Sequence, residues 1–422
     1  MPNEEWELYV KDPRTICKYG SKCYQKNPEH HKTYKHPPHN VKAKKNAREK
    51  RRFSPYTKKD NELKVDKIKD DVQIDNKNED TPLNEDKSES ANSSKCNPII
   101  NKSPVKLPAN IQFHKDITDS TFRKLFLLDM PKDFYKFHEW LQGEGEAIDK
   151  ILSSVNLELI GPYDVLLGKM PILDDEDLYL VHWRFYYDPP ELQTVLKKKG
   201  NSQFHIGYYR DTPNEPPVFL ASNDSSKDYK IIPVAENIFA AVYFYLQNEK
   251  KSSPFTAMAC QKLMDKLKIA AEKYEFEIKE FNMRERQKNI VAKTLHGAGI
   301  VTPYNKKTQL GYRHLTETDA NMKKIFTKLE NATDQSEKEK ILSELQPVIT
   351  YANIAVDECD FGTGLEAGIA LFCSGLKELE PSTLGCLISA YNLLNREAFS
   401  KIIQVHLKYR RKGTKLSILD LK

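Results

Sequence analysis

The chain has 422 residues, 30% of them charged and 39% hydrophobic, with seven cysteines and a formal net charge of +6. No run of about 18 apolar residues is present, which excludes a membrane-spanning helix, and Met1–Trp6 has neither the basic start nor the apolar core of a secretory signal. Seven cysteines are too few for a disulfide scaffold at this length and point to a reducing compartment.

Residues 1–39 are rich in Tyr, His, Pro and Lys. Within them Cys17, Cys23, His30 and His36 follow the spacing C-x5-C-x6-H-x5-H. Two thiolates and two imidazoles suit a closed, tetrahedral structural Zn²⁺ site. A segment this short has no core of its own, so the metal is expected to supply its folding free energy. The run Cys17-Lys18-Tyr19-Gly20 to Cys23-Tyr24, then Asn27-Pro28-Glu29-His30, Tyr34 and His36, resembles the PBZ zinc finger, and Arg14 fits the same pattern. The resemblance implies binding of poly(ADP-ribose) by Arg14, Tyr19, Tyr24 and Lys26. The chemistry agrees. Tyr19 and Tyr24 offer π-faces to adenine, and Lys18, Lys22 and Lys26 offset the pyrophosphates. Such fingers usually carry Arg where this chain has Gln25, and that change is expected to weaken binding.

Residues 40–108 are nearly free of aromatics and full of Lys, Asp, Glu, Asn and Ser. Such a stretch buries too little apolar surface to offset its chain entropy and is expected to be a disordered linker. It opens on a basic block, Lys42, Lys44, Lys45, Arg48, Lys50, Arg51 and Arg52. This block reads as a nuclear-import signal or a solvated tether, with at most weak contacts to DNA.

Residues 109–422 read as a single α+β region. Helical periodicity covers 116–127, 132–153, 236–249, 254–275, 318–331, 335–346, 362–374 and 382–410. Strand-like runs fall at 157–160, 178–187, 203–209, 217–221 and 229–232, between two helical blocks. That order predicts a small antiparallel sheet flanked by helices, not a βαβ array. His182–Pro190 reads as aromatic core packing, and His296–Gly299 as a turn of small residues without the pattern of a phosphate loop. The run Phe204–Pro217 ends a strand in Tyr208, Tyr209 and Arg210 ahead of a Pro-rich turn. Rigid aromatics and an Arg at a strand end suit a protein interface, and equally a strand-end salt bridge.

The densest chemistry is Asp357-Glu358-Cys359-Asp360-Phe361-Gly362-Thr363-Gly364-Leu365-Glu366, set between two apolar stretches. Acids placed there are costly without a partner or a task. Crowded like charges raise at least one pKa, which suits a general base working near neutral pH. A divalent-metal site, or Asp360 as a plain helix cap with Glu366 on the surface, are the other readings. Cys359 has no positive neighbour in sequence and is not read as a nucleophile.

Gly161–Asp164, His182–Pro190, Gly207–Pro213, Lys293–Gly299 and Asp357–Gly368 together resemble the histone PARylation factor family. The resemblance implies docking on the catalytic domain of a poly(ADP-ribose) polymerase, completion of its active site, and redirection of modification to serine. It implies Glu358 as the base toward the acceptor serine, Asp357 as an orienting residue, Tyr209 and Arg210 as partner anchors, and Asp360 as a further contact. It also implies that Arg210 holds Glu358. NAD would belong to the partner, histones would be the substrate, and no stand-alone activity is expected. The implied setting is nuclear chromatin at sites of DNA damage. A non-catalytic, poly(ADP-ribose)-binding adaptor for a DNA repair partner is the competing reading.

Overall fold

The computed structural model describes residues 11–17, 28–36, 110–115 and 118–421. Cys23, Tyr19, Tyr24, Lys26 and the expected linker therefore lie outside the described residues. Two compact units divide the chain, Met1–Glu89 and Ser90–Lys422.

The described residues of the first unit form one short strand pair and one short helix. Strand β1 (Thr15–Ile16) pairs in parallel with β2 (Tyr34–Lys35), and a short helix α1 (Pro28–Thr33) leads into β2. The Cys17 amide donates to the Lys35 carbonyl at 3.0 Å, which closes the pair beside His36.

In the second unit, helices α2 (Asp119–Phe126), α3 (Lys132–Gly143) and α4 (Ile148–Ser153) precede the sheet. The sheet runs β3 (Leu157–Leu159), β4 (Leu192–Lys198), β5 (Phe204–Tyr209), β6 (Phe219–Asp224) and β7 (Ile232–Ala235). Its strands lie in chain order and each neighbouring pair is antiparallel. A short helix α5 (Tyr163–Leu166) sits in the β3–β4 connection. Then come α6 (Ile238–Ser252), α7 (Ala257–Lys273), α8 (Met283–Gln287), α9 (Asp319–Asn331), α10 (Gln335–Asp357), α11 (Phe361–Ser374), α12 (Glu380–Leu393) and α13 (Glu397–Tyr409). The α+β expectation of a small antiparallel sheet between helical blocks matches this architecture.

Two apolar cores organise the second unit. One joins the sheet to α2–α4, α6 and α7 around Phe134, Phe137, Leu196, Ile206 and Phe239. The other is helical, built from α9–α13 around Leu345, Ala352, Leu371, Leu387 and Phe399. Aromatic rings fill the first core edge to face, as with Phe137 and Phe239 at 5.4 Å and 84°.

The structure corrects several boundaries. The expected strand 178–187 is instead a 3₁₀ turn over Glu176–Val181, capped by the Asp175 carboxylate, and Trp183 beyond it takes a left-handed φ of 53° that no strand accepts. The missing strand is β4. Lys197 in it is 5% exposed and pairs with Glu158 at 2.8 Å across the ladder. Helix α10 does not stop at 346. It passes through Pro347 because Leu345, Val348, Ile349 and Ala352 are buried on one face, which offsets the lost backbone bond. The expected helices 132–153 and 382–410 are each two helices, α3 with α4 and α12 with α13.

Candidate functional site

The acidic run forms the corner between α10 and α11. The last buried residues of α10, Ala355 and Val356, leave Asp357 and Glu358 exposed at its end. The Glu358 amide still donates to the Ile354 carbonyl at 3.0 Å. Cys359 then adopts a left-handed φ of 70°, and Asp360 turns back so that its amide donates to the Ala355 carbonyl at 2.8 Å. Left-handed backbone is unfavourable for a residue with a Cβ, so the contacts around the corner must hold it.

Those contacts come from a distant segment. Arg313 Nη2 meets Glu358 Oε2 at 2.5 Å, and Arg313 Nε lies 3.2 Å from Asp360 Oδ2. The guanidinium sits 5.3 Å from the centre of the Tyr351 ring on α10. Asp360 Oδ1 accepts from the Gly311 amide at 2.8 Å. The Arg313 main chain is gripped twice by Thr363, which accepts from its amide at 3.0 Å and donates to its carbonyl at 2.7 Å. Gly311 has φ 111°, and a Cβ there would run into the Pro303 carbonyl, so the approach requires glycine.

Glu358 is nevertheless open. Its side chain is 46% exposed, against 31% for Arg313 and 11% for Asp360. Oε1 of Glu358 makes no hydrogen bond among the described residues. A fixed carboxylate with one free oxygen facing outward can accept a proton from a group delivered by another molecule. Beside it a groove of about 1080 Å³ is lined by Lys288, Thr302, Tyr304, Arg313, His314 and Asp360, among others.

Asp360 stands at the cap position of α11, but its side chain makes no capping bond; both oxygens serve Gly311 and Arg313 instead. Glu366 is not a surface residue. It is partly buried on α11 and accepts from the Tyr312 hydroxyl at 3.1 Å. The carboxyl of this run that is pushed up, to about 7, is Glu366, and the main cause is burial; the Tyr312 bond opposes it and Asp319 adds to it.

Tyr209 and Arg210 lie elsewhere, enclosed within the fold of this chain. Tyr209 is 2% exposed and stacks on Phe219 at 4.8 Å. Arg210 is 1% exposed, and its guanidinium donates to the Asp129 carbonyl. Burial pushes the Arg210 guanidinium down to about 10. Arg210 does not hold Glu358; Arg313 does. Asp360, at 8% exposure, ties the corner to Gly311 and Arg313.

In the first unit Cys17, His30 and His36 present Sγ and two ring nitrogens within 4.8 Å of one another. His30 Nε2 lies 3.5 Å from Cys17 Sγ and 3.1 Å from His36 Nε2. Bonds of ~2.0–2.1 Å to nitrogen and ~2.3 Å to sulfur at tetrahedral angles put ligand atoms roughly 3.3–3.7 Å apart. One of these distances falls in that range and the other just short of it, so the three donors converge as zinc ligands would, and the spacing supplies Cys23 as the fourth. Tyr34 stacks on His30 at 4.9 Å and steadies that ring. Arg14 is exposed and paired with Asp12 at 2.5 Å, and that bond holds the Asp12 carboxyl down at about 2.

The comparisons with known proteins agree with this organisation. The family model for histone PARylation factor 1 matches residues 118–410, and the PBZ domain model matches residues 14–39. The chain belongs to the histone PARylation factor 1 family. Its similarity to the mouse protein of that name is 41% identity over 295 residues, covering 68% of this chain and 85% of the relative. The cattle and zebrafish proteins of the same name are 38% and 39% identical over 293 residues each, covering 68% of this chain and 84% of each relative. The family match takes in the whole corner, with Arg313, Glu358 and Glu366 inside it, and the PBZ match takes in all four expected zinc ligands.

Proposed function

We propose that this chain docks on the catalytic domain of a poly(ADP-ribose) polymerase and supplies Glu358 to a shared active site that modifies serine on histones. The observation that supports this is the Glu358 carboxylate itself: exposed at a helix end, held by Arg313 on one oxygen and open on the other. A base serving its own chain's cleft would be enclosed. One left facing outward, on a braced corner, suits a reaction completed by a second protein.

The chemistry asks one thing of this chain. A serine hydroxyl is a weak nucleophile toward the ribosyl carbon of NAD, which the polymerase would hold. As the Ser oxygen bonds to that carbon, the bond from carbon to nicotinamide breaks and nicotinamide leaves with the electron pair. The hydroxyl proton passes to Glu358 Oε1. Asp357, exposed beside it, would orient the acceptor. The PBZ finger would bind poly(ADP-ribose), with zinc held by Cys17, Cys23, His30 and His36. The setting would be nuclear, at damaged chromatin, where polymer and histones meet.

Glu358→Gln tests the reading. It keeps size and removes basicity. Serine modification by the chain reconstituted with a polymerase, NAD and a histone peptide should fall by ~100-fold or more. A binding titration should show polymerase association little changed. Near-normal serine modification would instead leave a non-catalytic adaptor that binds the polymer and a repair partner.

A further inference from the structure

We propose that Glu366 is a positioning residue for the Arg313–Glu358 pair, acting through the hydroxyl of Tyr312. The proposal deepens the reading of Glu358 as the base and rests on it for its catalytic consequence, while its geometry is internal to the chain.

Helix α11 grips the dipeptide Tyr312–Arg313 at two points one turn apart. Thr363 takes the Arg313 main chain, and Glu366 takes the Tyr312 side chain. Residues three apart on a helix share a face, so both grips pull toward the same side of α11. Tyr312 is 6% exposed, with Tyr304 edge-on to its ring at 6.4 Å. The ring therefore has few alternative places, and any shift in it is passed to Arg313 through one peptide unit. Arg313 in turn is the residue that ties Glu358 and Asp360 together.

The Tyr312 hydroxyl has one proton and two acceptors within reach. Glu366 Oε2 lies at 3.1 Å and His314 Nδ1 at 3.0 Å. An ionised carboxylate is the stronger acceptor and takes the proton. A protonated Glu366 donates to the tyrosine oxygen instead, and the hydroxyl turns to His314. The charged and titratable groups facing Glu366 are Tyr312 and His314 from the 303–314 segment and Asp319 from the start of α9. Burial places the Glu366 exchange close to neutral pH. The bridge to Arg313 thus has two hydrogen-bond arrangements within the range where a nuclear enzyme works.

Glu366→Leu and Tyr312→Phe in the full chain test this, with two readouts. In the reconstituted polymerase reaction, each variant should lower kcat for serine modification about tenfold with KM little changed. The double variant should be no worse than either alone, because both remove one bridge. In the free chain, the ¹⁵N-edited signal of Arg313 Nε–H should move with pH with a midpoint between about 6 and 8, and stay flat in both variants. A wild-type signal without such a midpoint overturns the proposal, as do additive losses in the double variant. If the Nε–H signal behaves as expected while Glu358→Gln remains active, the base assignment fails and the positioning role stands. Thermal melting of each variant separates a positioning loss from an unfolded chain.

Discussion

The two ends of this chain hold themselves together by different means. In the second unit, phenylalanines, leucines and tyrosines fill two continuous cores, and many of those side chains are completely enclosed. Among the described residues of the first unit, the enclosed apolar residue is Cys17, itself one of three donors placed to hold a metal ion. One unit is stabilised by removing apolar surface from water, and the other has donor atoms placed to converge on an ion. The difference teaches where each is vulnerable: the large unit to cavities and overpacking, the small one to a chelator or a proton.

The largest effect should come from removing the metal. Structural zinc contributes apparent binding free energies of ~10–16 kcal/mol in finger peptides, far more than two-residue strands supply. A strong chelator, or Cys17→Ser, should collapse the amide signals of residues 14–36 while the melting transition of the large unit stays in place. Simultaneous loss of both would break the comparison.

Phe399→Ala should do the reverse. Phe399 is fully buried and meets Tyr391 edge-on at 5.7 Å, so truncation leaves a cavity costing ~3–5 kcal/mol. Urea unfolding should report that loss, and zinc affinity should not change.

Glu366 gives a third, pH-dependent handle. Its carboxyl rises from 4.5 to about 7 in the folded chain, so the folded state keeps a proton that the unfolded state has lost. Stability should therefore fall as pH climbs between 4.5 and 7, by about 3 kcal/mol in all, and level off above. Glu366→Gln should flatten that slope in denaturant titrations at pH 5, 6, 7 and 8.

The smallest effect concerns packing tightness. A Cβ on Gly368 would stand 2.5 Å from Leu387 Cδ2, where α11 presses on α12. Gly368→Ala should cost ~1–3 kcal/mol, measured by the same urea titration. A neutral or stabilising outcome would show that this helix pair has slack.

Much of this was legible in the sequence, for local reasons. The four Cys and His positions announce a metal by spacing alone, and the order of strands between helical blocks announces the α+β fold. The acidic run announces itself by charge between apolar stretches. What the sequence hid was partnership over distance. The chain contains three Tyr-Arg dipeptides, Tyr209-Arg210, Tyr312-Arg313 and Tyr409-Arg410. The first drew attention because it ends a strand beside prolines, and it is buried. The second meets Glu358 across 45 residues, and no local pattern marks that contact. Gly311, needed for a left-handed turn directly before Tyr312, was the one signal available. Strand β4 and the second half of α10 were missed for the same kind of reason: a buried lysine stem and a packed helix face overrode what Lys and Pro normally indicate.

The bonds that brace the acidic corner span 45 to 50 residues of chain, whereas the helices on either side close their own bonds four residues at a time. Helices form early and cheaply, and contacts that close long loops come late. The corner is therefore completed after the helices that flank it. Local opening of the 303–314 segment would release Glu358 from Arg313 while α10 and α11 stay helical. Hydrogen exchange at the amides of Gly311 and Arg313 reports that opening directly, and its free energy sets the fraction of molecules that carry a finished corner at any moment.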